Sequence, residues 1–181
     1  MNAESVMERI AASHAGQASQ MAGGAAWARR RELALARVLG RGLPDRRDEN
    51  WKYLDHAKIA ERAFEILPQS GVSAGQLSAW LLPLPDARRL VIVDGRFEPA
   101  LSDADAGAGV TVEDLATVLK TDPARAFGLV REPGDDADDR YALLADAFAA
   151  EGVVIRVDAG AAPAETLYLL HVYSGSLPGT N

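Results

Sequence analysis

Leu90-Val91-Ile92-Val93, followed at once by Asp94-Gly95 and Arg96-Phe97-Glu98, commits the middle of this chain to a β-hairpin. A type I′ turn needs positive φ at both central residues, and Asp-Gly supplies this at small steric cost beside a β-branched run. Pro99 ends the return strand. A strand pair inside a chain whose first third reads as helix sets the fold class as α+β.

The helical reading comes from Met1 to about Arg41, where no proline occurs and Ala, Arg and Glu dominate. Ala34/Val38 and Leu35/Leu39 are i,i+4 pairs beyond Trp27. Gly23-Gly24 interrupts the helices, Gly40 and Gly42 offer left-handed caps, and Pro44 prevents continuation. A polar stretch, Asp45 to Asn50, leads into Trp51-Lys52-Tyr53-Leu54 and a short helix from Asp55 to Phe64, broken by Pro68 and Gly71. One or two helical turns are expected over 73–82.

Beyond the hairpin, Thr111 with Asp114 reads as a capping box, and Thr121-Asp122 before Pro123 as a second helix start. The acidic stretch from Glu132 to Asp139 precedes a helix with Tyr141, Leu144, Ala145 and Phe148 on one face, closed by Gly152. The period then changes to two. Val153 to Val157 and Leu167 to Tyr173 are predicted strands of one sheet, separated by Gly160-Ala161-Ala162-Pro163 and followed by turn residues from Ser174 to Gly179. The expected division is a helical region over 1–84, a hairpin with helices over 85–152, and the first strands of a longer sheet over 153–181.

Composition limits the chemistry. Of the 48% apolar residues in 181, Ala accounts for 34, so the core must be lean. There is no cysteine, which removes disulfides, thiolate nucleophiles and Cys-ligated clusters from this chain. The net charge of −7 speaks against a general nucleic-acid coat, and no apolar run approaches the roughly 18 residues of a membrane span. A cytoplasmic address follows as the expectation.

Each potential site has a plainer explanation beside it. Arg29-Arg30-Arg31 with Arg37, Arg41, Arg46 and Arg47 is the basic cluster, read as a solvated helix face in preference to a nucleic-acid adaptor. Asp135, Asp136, Asp138 and Asp139 lack the Gly and terminal Glu of an EF-hand loop. His14, His56 and His171 have no metal-ligand spacing, and His171 reads as a hydrogen-bonded, half-buried strand residue. A hydrolase using Asp94, Asp103 and His171 is the enzymatic alternative, with Asp94 explained equally by its place at a hairpin tip. Glu49, Trp51 and Tyr53 read as a packing anchor rather than a partner surface. The expectation is a chain that is not an enzyme and binds no cofactor or metal itself.

Three stretches resemble the SufB/SufD family of iron–sulfur cluster assembly scaffolds, in its SufD-type members more than its SufB-type ones. They are Gly42-Leu43-Pro44 through Arg47, Glu49 and Trp51-Lys52-Tyr53; Val91-Ile92-Val93-Asp94-Gly95-Arg96-Phe97 with Leu101-Ser102; and Ala142 through Ala147-Phe148-Ala149 and Gly152 to Leu170-His171. Asp146 stands where the family usually has Asn. The resemblance implies a non-catalytic scaffold role in iron–sulfur cluster assembly, and a right-handed β-helix of which 153–181 would be the start. It implies SufB and the ATPase SufC as partners, with the main contacts in segments after Asn181. Glu49, Trp51, Lys52, Tyr53, Asp94 and Gly95 are its motif or interface candidates. A β-helix cut after its first strands would leave an open edge, so self-association through residues 165–175 is expected.

Overall fold

The computed structural model describes residues 3–54, 58, 71–84, 86–103, 105–130 and 139–174. The helix expected over 55–64, apart from Lys58, and the acidic residues Asp135, Asp136 and Asp138 lie outside them, as does His56. Two compact units form, and neither is continuous in sequence: 1–66 with 119–150, and 67–118 with 151–181.

In the first unit, α1 (Ala3–Gln17) and α2 (Gly24–Arg41) are separated by Gly23, whose φ of 122° suits glycine. A Cβ on Gly23 would lie 2.6 Å from that of Trp27, so the start of α2 is built against its own tryptophan. Gly42 ends α2 at φ 72°, its N–H donating to Val38 O at 2.8 Å. Val6 and Ile10 of α1 and Val38 of α2 form a core with Leu143 and Leu144 from a later helix, Arg140–Ala147. Ala34 and Ala147 are fully buried there, which is how a lean composition still packs helix on helix: small side chains let the axes approach.

In the second unit, α3 (Ala74–Ser78) carries a full capping box between Ser73 and Gln76. β1 (Ala87–Val93) is central. It pairs antiparallel with β2 (Arg96–Phe97), and the turn is as expected, with φ of 48° at Asp94 and 86° at Gly95. Leu90 through Val93 are all buried, so the apolar run is continuous because both faces of β1 are covered. β3 (Val110–Asp114) precedes α4 (Leu115–Thr121), then α5 (Pro123–Leu129) and, as α6, the helix Arg140–Ala147. β4 (Val153–Val157) and β5 (Thr166–Val172) complete the described elements.

Several expectations are corrected. β4 and β5 do not share a sheet: β4 pairs antiparallel with β3, whereas β5 pairs parallel with β1 along all seven residues from Ala87↔Thr166 to Val93↔Val172. The connection between them explains why, since Asp158 N–H donates to Gly109 O at 2.8 Å and Ala161 packs on Gly109, holding the loop beside the β3 turn. Thr111 is a strand residue, not a cap. Asp114 is itself the cap, its carboxylate accepting from Ala116 N–H and Thr117 N–H. The inward side of α6 is Leu143, Leu144 and Ala147, with Ala145 exposed, and the helix ends before Gly152, which packs against Leu115. Asp122 does cap α5 through Arg125 N–H, with Pro123 at the first position.

Gly109 sits at φ 74°, and a Cβ there would lie 2.5 Å from that of Ala161. Gly109→Ala is therefore expected to cost about 1–3 kcal/mol, through strain and collision together, in urea unfolding followed by far-UV circular dichroism.

Candidate functional site

The segment from Gly42 to Leu54 carries most of the candidate residues. Asp45 N–H donates to Asp48 Oδ2 and Arg47 N–H to Asp45 Oδ1, both at 2.7 Å, which closes a local turn after Pro44. Arg140, buried at the start of α6, forms an ion pair with Asp48 and donates to Leu43 O at 3.4 Å. A cation at a helix N-terminus opposes the dipole, so this pairing and the Asp139 cap, which accepts from Ala142 N–H at 3.0 Å, stabilise an otherwise unfavourable placement.

A 3₁₀ turn, Glu49–Trp51, then sorts the motif into two sides. Trp51 turns inward, its ring edge-on to Tyr141 at 4.8 Å, and burial raises the Tyr141 phenol above its ordinary pKa. Glu49, Lys52 and Tyr53 turn outward: Lys52 forms an ion pair with Glu49 and lies 5.2 Å from the centre of the Tyr53 ring. Tyr53 is 93% exposed, so its aromatic area is not spent on packing. Trp51 and Tyr53, read together as an anchor, have opposite fates.

Asp94 is bound into the second unit. Its carboxylate accepts from Ser174 N–H at 2.9 Å and Ser174 Oγ at 2.6 Å, clamping the end of β5 to the hairpin tip. Asp103 accepts from Arg89 N–H at 2.6 Å and faces the Arg89 guanidinium. His171 is exposed, not half-buried. The two carboxylates of the hydrolase alternative therefore serve local structure. Among the described residues there is no cluster of three or more His, Asp or Glu able to hold a metal, and no helix long and apolar enough to cross a membrane.

The arginine cluster is the largest surprise. Arg29 is exposed, but Arg30 and Arg31 are 5% and 3% exposed, so the solvated-face reading fails for both. Arg31 Nε donates to Ala149 O and Nη2 to Ala22 O, both at 2.7 Å. Arg30 pairs with Asp146 at 3.0 Å, which gives the departure from Asn at that position a partner. Both guanidiniums lie within 6 Å of the Trp27 ring, at 5.9 and 5.5 Å. The signal was present in the spacing: Trp27, Arg30, Arg31, Ala34 and Val38 are one helical stripe.

His14 is also buried, edge-on to Phe148 at 5.5 Å. Burial lowers its pKa from the ordinary 6.5, the charge of Arg31 acts in the same direction, and a bond to the Ala147 backbone opposes them.

No family model matches the chain. Over 148 residues, 78% of its length, the chain is 35% identical to an iron–sulfur cluster assembly protein of Escherichia coli (strain K12). That protein is SufD, and the chain spans 30% of its length. The chain is thus SufD-like over most of its residues, as the three sequence stretches indicated.

The His14 environment gives a pH dependence with a definite sign. The folded state binds this proton less readily than the unfolded chain, so the stability that rests on the neutral ring is complete above about pH 6.5 and falls as pH drops from there through the lowered folded-state pKa. His14→Gln is expected to flatten this slope between about pH 5 and 7, read as the difference in urea midpoint from the unsubstituted chain.

Proposed function

We propose that this chain acts in iron–sulfur cluster assembly as a non-catalytic scaffold segment, working in the cytoplasm in a complex with SufB and the ATPase SufC. The observation that carries this reading is the 35% identity to SufD over 148 residues. Local bonding of Asp94 and Asp103 supports a scaffold over a hydrolase, and the burial of Arg30 and Arg31 removes two phosphate contacts from a nucleic-acid adaptor. In this reading the strands over 153–172 lead toward a right-handed β-helix. The parallel, in-register pairing of β1 with β5 supports it, because stacked rungs of a solenoid pair in that manner.

Glu49, Lys52 and Tyr53 are the residues we assign to partner contact. An exposed tyrosine beside a local ion pair offers rigid amphipathic area at low entropic cost, which is what interface hot spots use.

The test is a chimera in which the 148 matched residues replace the corresponding part of Escherichia coli SufD, in cells that depend on that protein for cluster assembly. Restored activity of a reporter iron–sulfur enzyme is expected. A well-expressed, folded chimera that restores none would refute the reading. Within the chimera, Tyr53→Ala is expected to change stability by no more than about 0.5 kcal/mol while weakening co-purification with the partner proteins.

A further inference from the structure

Asp94-Gly95 is the one Asp-Gly pair in the sequence, and no Asn-Gly pair occurs. This dipeptide has a chemistry of its own. Glycine carries no Cβ to shield its amide nitrogen, so that nitrogen is the backbone nucleophile best able to reach the carboxyl carbon of the residue before it. Whether it does so depends on the freedom of the aspartate side chain.

Here that freedom is withheld from a distance. Oδ1 of Asp94 accepts from Ser174 N–H at 2.9 Å and Oδ2 accepts from Ser174 Oγ at 2.6 Å, so both oxygens are held by one residue 80 positions away. Asp94 N–H donates to Val172 O at 2.9 Å, which fixes the main chain at the same point. A carboxylate held by both oxygens cannot swing its carbon onto the Gly95 nitrogen without releasing at least one of them. Both bonds come from the residue after the end of β5, so a hairpin tip parted from that residue loses the restraint.

We propose that Asp94-Gly95 is a latent isomerisation site, kept closed by Ser174 and opened when the segment after β5 leaves the hairpin tip. In the opened state Gly95 N attacks Asp94 Cγ. The N–Cγ bond forms, the C–OH bond of the protonated carboxyl breaks, and the amide proton and the hydroxyl leave as water. A second water then adds to the main-chain carbonyl carbon of Asp94 in the resulting five-membered imide and cleaves its bond to Gly95 N. The product is an isoaspartyl linkage of unchanged mass, with one more carbon in the main chain and the carboxylate carried on Cα. In a two-residue turn the extra carbon disturbs the Val93↔Arg96 register, and the displaced carboxylate no longer meets Ser174. The site thereby converts a reversible local opening into a lasting change.

Tryptic peptide mapping tests the proposal. Cleavage of the unfolded chain after Arg89 and Arg96 releases the peptide Leu90–Arg96, whose aspartyl and isoaspartyl forms share one mass and separate by chromatography. The folded chain is incubated at neutral pH and the isoaspartyl fraction of this peptide is followed in time. The Ser174 Oγ bond is charge-assisted, so Ser174→Ala is expected to raise the rate about tenfold, and Ser174→Thr, which keeps a hydroxyl, to return it close to the unsubstituted value. A folded Ser174→Ala chain that isomerises no faster than the unsubstituted one, or a Ser174→Thr chain that isomerises as fast as Ser174→Ala, overturns the proposal. Should Ser174→Ala not fold by circular dichroism, the unsubstituted chain decides: isomerisation is expected to run at least about tenfold slower folded than in urea, and equal rates overturn the proposal.

Discussion

Trp27 and the two guanidiniums beside it hold the helical unit together. The indole N–H donates to Pro123 O at 3.1 Å, and its ring meets Phe127 edge-on at 6.3 Å, so α2 is fixed to α5. Arg31 reaches back to the residue before the Gly23-Gly24 break and across to the residues just after α6, tying the start of α2 to a segment 118 residues away. Burying a guanidinium is costly, and burial lowers the Arg31 pKa. Two carbonyls and an indole in place of water offset that cost. Arginine suits this role because its planar, delocalised group is weakly hydrated and keeps its charge.

An apolar side chain could fill the same volume more cheaply, but it could not satisfy Ala22 O and Ala149 O at once. The site is therefore a device for orientation as much as for stability. A chain with 34 alanines has few large side chains to fix helix positions by interlocking, and directional bonds do that work here. The same logic holds at Arg140, which joins Leu43 and Asp48 to α6 and so sets the direction from which the 49–53 motif emerges.

What could be read from the sequence was local. Asp94-Gly95, Asp122-Pro123 and Gly42 each impose a backbone conformation by their own covalent structure, and each behaves as its chemistry dictates. What could not be read was pairing at a distance. β4 and β5 are neighbours in sequence, yet β5 matches β1 residue for residue, and no pattern within either strand records its partner. At the candidate site, the importance of the 42–53 segment was legible, but not that Trp51 faces Tyr141 while Tyr53 faces solvent, because a 3₁₀ turn decides it. Arg30 and Arg31 were misread because charge outweighed position on the helix stripe.

The central claim is that Arg31 is a buried tie, unlike the exposed Arg29 two residues before it. Urea unfolding of Arg31→Ala and Arg29→Ala, measured side by side, tests it most directly. Loss of Arg31 leaves two partly buried carbonyls without their donors and removes a buried side chain, and is expected to cost about 2–4 kcal/mol, whereas Arg29→Ala is expected to stay within about 0.5 kcal/mol. Equal and small losses for the two variants would contradict the account.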